Sequence, residues 1–338
     1  MSRGNETVAQ PATSVAIALL AKPLVSFVIP VFNSERDIAR CLLSIRHLHI
    51  PERAYEVLIM DNGSTDQTHQ IMRQMGFPFQ VIPRVNVSTL RNRGAALAQG
   101  AYVAFVDSDV ELTPNWLRGG LAAFTDKRVV ATGSFLDIPA DATWVQKTWS
   151  LHQRRHHLGG EARPVPWLGS ANLLVRRDAF LAVSGFNEHL VTAEDVDICY
   201  RLGQHGLILY NPAMRAIHWG EAADVRTFGC KEVWRGLGNM EGVRSHGWRW
   251  DELPSLGYPL YILCLGLVLI SGCVFDLWYR HLRFVPLGLA LLGLPALLLA
   301  CHTGYLASHW RVIPQLFLLY CVYGLARGYA VLKSWPTY

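Results

Sequence analysis

The chain predicts an α/β domain with a mainly parallel central sheet, followed by an α-helical membrane region. Three observations lead there. Short apolar runs rich in β-branched and aromatic residues alternate with stretches of helical spacing between Leu24 and Val110. These runs end in polar or acidic residues, notably Asn33, Asp61 and Asp107 to Asp109. From Leu256 onward, Leu, Val, Gly, Pro and aromatic residues displace nearly all charge. The 338 residues accordingly divide into a tail over 1–23, an α/β domain over 24–250 and a membrane-associated helical region over 251–338.

In order, Met1 to Thr13 is polar and reads as disordered, and Val15 to Leu20 is too short for a transmembrane helix and does not read as a signal peptide. Leu24 to Val31 is the first strand, and Phe32 to Glu35 opens a helix to about His47 with Ser34 as N-cap. Tyr55 to Met60 is a second strand that ends in Asp61-Asn62-Gly63-Ser64-Thr65-Asp66, followed by a helix over Gln67 to Met75. Phe79 to Pro83 is a third strand, Leu90 to Gln99 a helix stopped by Gly100, and Ala101 to Val110 a buried strand carrying Asp107-Ser108-Asp109. In an extended chain residues two apart share a face, so Asp107 and Asp109 can face one cleft. Two acids that close need a cation nearby, a divalent metal with a phosphorylated substrate being one; alternatively they cap the helix that starts near Pro114.

Strands alternating with helices place a ligand beyond the carboxyl ends of the strands. No Gly-x-Gly-x-x-Gly and no Walker loop is present, which removes the usual support for dinucleotide oxidoreductase and P-loop classes. The net charge of +5 has no long basic run behind it, so anionic phosphate substrates and an anionic membrane surface account for it and no nucleic-acid partner is expected. The seven cysteines are dispersed without Cys-x-x-Cys spacing, as suits reduced packing residues.

Other residues admit two readings each. Asp61 can accept hydrogen bonds from a base N–H or simply form the turn before Asn62-Gly63. Arg91 can pair with phosphate through its planar fork or lie on a solvated helix face. Glu194-Asp195 reads as a helix start whose acids cap the first turn or serve chemistry. Gln153-Arg154-Arg155-His156-His157, between Trp144 and Trp167, is either an anion- or membrane-binding patch or a solvated helix face.

Taken as an ordered series, the motifs resemble those of the inverting family-2 type glycosyltransferases, which have a GT-A nucleotide-sugar-binding, Rossmann-like fold. The series runs Val28-Ile29-Pro30-Val31-Phe32-Asn33, Met60 to Asp66, Arg91-Asn92-Arg93-Gly94, Phe105-Val106-Asp107-Ser108-Asp109, Gly169-Ser170-Ala171-Asn172, Gly185-Phe186-Asn187-Glu188 and Ala193-Glu194-Asp195-Val196-Asp197. It covers roughly Val25 to His218. The resemblance implies a nucleotide site of Pro30, Phe32, Asn33, Asp61, Arg91 and Asp107. It also implies Mg2+ or Mn2+ held by Asp109 with Asp107; His218 either completes the metal shell or contacts the diphosphate as in some related enzymes, or is simply structural. Asp195 is implied as the base that deprotonates the acceptor hydroxyl, with Glu194 positioning it. Gly169, Ser170, Asn172 and Trp167 are the acceptor- or sugar-side candidates. The implied reaction moves a sugar, with inversion, from a nucleoside-diphosphate sugar to a hydroxyl of a lipid-linked or membrane-proximal acceptor. Alternatives are a processive polysaccharide synthase, from whose Gln-x-x-Arg-Trp motif Val233-Trp234-Arg235 departs, and a non-catalytic nucleotide-sugar-binding scaffold.

In the tail, Leu256 to Phe275, Phe284 to Ala300 and Ile313 to Val331 can each approach or reach bilayer length. Arg327 is expected to snorkel, and Trp278, Tyr279, Trp310 and Trp335 suit interfacial positions among membrane lipids. Nucleotide sugars, reduced cysteines, Arg244 and Arg249 place the catalytic domain on the cytoplasmic side. Arg280 and Arg283 oppose that orientation unless the first pair of segments is a re-entrant hairpin.

Overall fold

The computed structural model describes residues 22–154, 160–237, 253–279 and 284–334. The expectations for Met1 to Leu20, for Arg155 to His157, and for Arg244, Arg249, Arg280, Arg283 and Trp335 lie outside them.

The elements in chain order are β1 (Val25–Val31), α1 (Ile38–Arg46), β2 (Tyr55–Asp61), α2 (Thr68–Gln74), β3 (Phe79–Val81), α3 (Val87–Leu97), β4 (Tyr102–Val106) and β5 (Val110–Leu112). Then come α4 (Trp116–Ala123), β6 (Val129–Gly133), α5 (Trp144–Arg154), β7 (Arg163–Pro164), β8 (Asn172–Arg176), α6 (Arg177–Ala182), α7 (Glu194–Gly203), β9 (Leu207–Tyr210) and β10 (Ala216–His218). The helices α8 (Val225–Leu237), α9 (Leu253–Tyr279), α10 (Phe284–Leu306) and α11 (Ile313–Ser334) close the chain.

The main sheet has the order β3-β2-β1-β4-β8-β6-β9-β7. Its first four strands are parallel, β8 runs antiparallel between β4 and β6, and β9 returns parallel to β6. β1 is apolar at nearly every position because both of its faces are covered. Phe27 and Ile29 pack with Ile38, Leu42, Ile45 and Trp116 on one side, while Val28 packs with Phe105, Leu173 and Phe186 on the other. Helix α3 lies close on the sheet because Gly94 has no Cβ, which would otherwise meet Val28 Cγ1 at 2.4 Å.

Three local expectations change. The first helix starts at Ile38 rather than beside Phe32, because the amides of Asp37 and Ile38 both donate to Ser34 O and wind residues 35–37 into a turn. Ser34 is therefore no side-chain cap, and its own amide donates to Thr68 Oγ1. Gly100 does not end α3, which stops at Leu97. A Cβ at Gly100 would lie 2.7 Å from Ser26 N, so the residue is needed for close approach to β1. The third change concerns the strand carrying the two acids. It ends at Val106, and Val110 N donates back to Asp107 O, so Asp107 and Asp109 sit in a turn rather than on one face of an extended strand.

Three helices are long and apolar enough to cross a membrane, over Gly257–Trp278, Phe284–Leu306 and Trp310–Lys333. They do not stand apart from the α/β domain. Val145 and Trp149 of α5, Ala222 and Phe228 share one apolar cluster with Ala296 and Ala300 of α10 and Leu316, Leu319 and Tyr320 of α11. Within it, the Tyr320 hydroxyl is 2.7 Å from both His152 Nδ1 and Thr303 Oγ1, which satisfies three polar groups at the seam. Arg327 does not snorkel: its Nε and Nη2 reach Glu232 Oε2 on α8 at 3.0 and 2.9 Å. Trp278 and Trp310 are exposed. All seven cysteines are free thiols.

Candidate active site

At the carboxyl end of β1, Phe32 projects with 59% of its surface exposed. Pro30 is buried within β1, opposite Met60, and the strand continues past it to Val31. Asn33 adopts a left-handed backbone (φ 48°), which an asparagine tolerates, and its Oδ1 accepts from Thr65 N at 2.8 Å. The loop it clasps is built by Asp61. That fully buried carboxylate accepts from Gly63 N (2.8 Å), Ser64 N (2.9 Å), Ser64 Oγ (2.5 Å) and His69 Nε2 (2.8 Å). Burial alone would raise its pKa, but these hydrogen bonds outweigh it and hold the carboxyl below the usual range. Asp61 thus organises the Gly63-Ser64 turn, as its turn-forming reading expects. His69, stacked on Phe79 with centroids 4.7 Å apart, is a partner that no sequence motif marked.

Arg91 is almost fully buried on α3 and spans two acids from distant parts of the chain. Its Nη2 donates to Asp107 Oδ1 at 2.7 Å and its Nη1 to Glu194 Oε1 at 2.9 Å, while Nε is buried without a partner. Of its two sequence readings, the solvated helix face is excluded.

Asp195 follows Glu194 at the start of α7, after Ala193 in a left-handed conformation (φ 64°). Its Oδ1 accepts from Val196 N at 2.9 Å. Burial, reinforced by the Glu194 charge next to it, pushes the Asp195 carboxyl up to about 7. A carboxylate tuned to the middle of the pH scale suits proton transfer better than one at its ordinary value. Gly169 lies across from it, where a Cβ would sit 3.8 Å from Asp195 Oδ2.

Asp109 has separate company. His218 Nε2 is 3.2 Å from Asp109 Oδ2, and His218 Nδ1 is 3.1 Å from Glu221 Oε1. The antiparallel pair β5 and β10 sets this up by placing His218 opposite Val110. Burial lowers the affinity of His218 for a proton, but hydrogen bonds to Asp109 and Glu221 more than compensate and bring its pKa to about 10. The repulsion expected between Asp107 and Asp109 is therefore relieved twice, by Arg91 for one acid and by His218 for the other.

Among the described residues, no group of three or more His, Cys, Asp or Glu side chains is arranged as a metal cluster. The donor pair Asp109 and His218 nevertheless fits a divalent cation in chemistry and in space. A Cβ at Gly220 would lie 1.8 Å from Asp109 Oδ2 and 3.3 Å from His218 Nε2, so only glycine leaves both donor atoms clear.

The acceptor-side candidates separate. Trp167 is 41% exposed, whereas Ser170 is buried. Asn172 is withdrawn as an acceptor contact, because it lies in the core. Its Oδ1 accepts from Trp116 Nε1 at 2.6 Å, and its Nδ2 donates to Ser134 Oγ at 2.9 Å and Ser134 O at 3.1 Å. Asn172→Leu would leave the Trp116 N–H unpaired, and we expect it to lower unfolding stability by about 1–3 kcal/mol in urea titration, with little effect on ligand affinity.

The sheet order, the clasped loop, the acid turn and the Asp195 helix start define a GT-A nucleotide-sugar-binding fold. A model of the glycosyl transferase family 2 matches residues 26–183. The glycosyltransferase AglE of Haloferax volcanii is 30% identical over 182 residues, covering 52% of this chain and 59% of its own length. The N-acetylglucosaminyl-diphospho-decaprenol L-rhamnosyltransferase of Mycobacterium tuberculosis is 31% identical over 206 residues, covering 49% of this chain and 67% of its own. Among solved structures, a mannosyltransferase from Pyrobaculum calidifontis, in complex with GDP-Man and Mn2+, superposes with a TM-score of 0.60 at 17% identity. That match spans 94% of this chain and 88% of the other. The chain belongs to glycosyl transferase family 2.

Proposed function

We propose that this chain is a metal-dependent, inverting glycosyltransferase that moves a sugar from a nucleoside-diphosphate sugar to a hydroxyl of a lipid-linked or membrane-proximal acceptor. The observation that carries the reading is the Arg91 bridge, which ties the acid turn after β4 to the loop that presents Asp195. A donor-side acid and an acceptor-side base held in one rigid frame are what a direct displacement requires.

In this reading Phe32, Asn33 and the loop built by Asp61 take the nucleotide, with Pro30 buried in the strand behind them and Asp107 beside the ribose. Asp109 and His218 would hold Mg2+ or Mn2+, which when bound supplies positive charge against the departing diphosphate. Asp195, ionised above pH about 7, takes the proton of the acceptor hydroxyl. The acceptor oxygen then attacks the anomeric carbon as its bond to the diphosphate oxygen breaks, inverting that carbon and leaving the proton on Asp195. Glu194, neutralised by Arg91, keeps the base loop in place. Trp167 and the Gly169-Ser170 backbone border the acceptor side.

A lipid-linked acceptor is supported by the mycobacterial relative, whose name specifies a diphospho-decaprenol acceptor, and by the three apolar helices packed against the domain. The free cysteines and the use of a nucleotide sugar favour a cytoplasmic catalytic domain. Release of nucleoside diphosphate, assayed with a panel of sugar donors and prenyl-phosphate-linked sugars in nanodiscs, tests the reading. We expect EDTA to abolish turnover and Mn2+ or Mg2+ to restore it. Undiminished turnover in EDTA would remove the metal from the proposal.

A further inference from the structure

Asp109 is one end of a line of alternating charges that runs out of the active site and into α11. Asp109 meets His218 (3.2 Å) and His218 meets Glu221 (3.1 Å). Glu221 meets Arg235 (3.5 Å), Arg235 meets Glu232 (2.8 Å), and Glu232 meets Arg327 (2.9 Å). The most buried member is Glu232, 1% exposed and held between two guanidinium groups.

The far end is in an unusual place. Arg327 lies within the apolar stretch Trp310–Lys333, where a charged side chain is costly unless it is paired. Of the most apolar windows of the three helices, that of α11 is 39% buried, against 11% for α9 and 17% for α10. Helix α11 is thus the inner helix, and α8 lies along it closely enough that a Cβ on Gly236 would meet Ala330 Cβ at 2.6 Å. A cation fixed in a packed helix pair is a firm anchor for the acids that lead back to Asp109.

We propose that Glu232 and Arg327 are positioning residues for the cation site, so that α11 helps to set the geometry of Asp109 and His218. The line is continuous through side chains, and each interior member has a partner on both sides. Loss of the Arg327 charge frees one oxygen of Glu232 and lets Glu232 draw Arg235 away from Glu221. His218 then loses the fixed acid that orients its ring. This inference rests on the reading of Asp109 and His218 as cation ligands.

The test is Mn2+ binding by the purified full chain in detergent, read from the electron paramagnetic resonance signal of free Mn2+, with thermal melting in parallel. Outer partners of metal ligands typically tune affinity about 10–100-fold; for Arg327→Met, several contacts away, we expect Mn2+ affinity to fall at least about threefold. Arg327→Lys, which keeps the charge, should restore most of it. Val322→Ala, which thins the packing beside Gly229 in the same interface, should lower the melting temperature and leave Mn2+ affinity unchanged. Equal Mn2+ affinity in wild type and Arg327→Met would overturn the coupling while leaving the cation site standing. So would an equal loss in Val322→Ala, because packing alone would then explain the effect. A wild-type chain that takes up no Mn2+ would overturn the cation site and the coupling together.

Discussion

Asp195→Asn is expected to lower kcat by about 10²–10⁴-fold while nucleoside-diphosphate binding stays within about twofold of wild type. Asparagine preserves the shape at the start of α7 but cannot accept the acceptor's proton. For the wild type, log kcat/KM should climb with unit slope as pH rises toward about 7 and flatten above it, since the base works only when ionised. Stability should move the other way. The folded-state pKa is raised above the unfolded value, so the contribution of Asp195 to stability is fully present below the unfolded pKa and lost as pH rises through about 7. At pH 8 the ionised wild-type carboxylate is a burden that asparagine lacks, and the variant should melt higher by a few degrees, on the order of 1–2 °C per kcal/mol for a chain of this size. That advantage should shrink as the pH is lowered below 7. A flat rate profile between pH 5 and 8, or a variant with wild-type turnover, would remove Asp195 from the role of base.

Arg91→Met should be costly in both stability and turnover. Removing the shared cation leaves Glu194 and Asp107 facing one another's charge, with the side chain of Glu194 only 12% exposed. Breaking a buried ion pair from one side costs about 3–5 kcal/mol; the lower end applies here, because Asp107 keeps 32% exposure and can recruit water. Turnover should fall in addition, since the acid turn and the base loop no longer share a fixed partner. Arg91→Lys carries the charge but not the planar fork, and it should recover stability better than turnover. Urea unfolding and nucleoside-diphosphate release separate the two effects. An Arg91→Met chain that unfolds at the wild-type urea concentration would show that the bridge carries no net stability.

The main architecture could be read from local signals. β1 is apolar on both faces, and β2 ends at an acid followed by Asn-Gly, so sheet and helices can be read without tertiary information. The antiparallel insertion of β8 was not evident, because its partners β4 and β6 are paired by long-range topology rather than by any pattern within Asn172–Arg176. The acid turn is hidden for a local reason: Val106 and Val110 look like one strand until Val110 N bonds back to Asp107 O. Asn172 is a site candidate only as part of the Gly169-Ser170-Ala171-Asn172 motif, and only Trp116, 56 positions earlier, shows what its side chain is for. The partners of Arg91 are 16 and 103 positions away, a relation that spacing cannot display. Glu221 and Glu232 carried no mark at all, since single acids on or near a helix normally face water.

The shared apolar cluster and the Glu232–Arg327 pair also bear on reach. A catalytic domain hung from a flexible linker samples acceptors at many heights, whereas one bolted to its own hydrophobic footing works at a single fixed elevation. In the proposed function, acceptors would then be sorted by stature as well as by chemistry: a hydroxyl carried too near its lipid anchor, or too far from it, would miss Asp195 however well its sugar fitted.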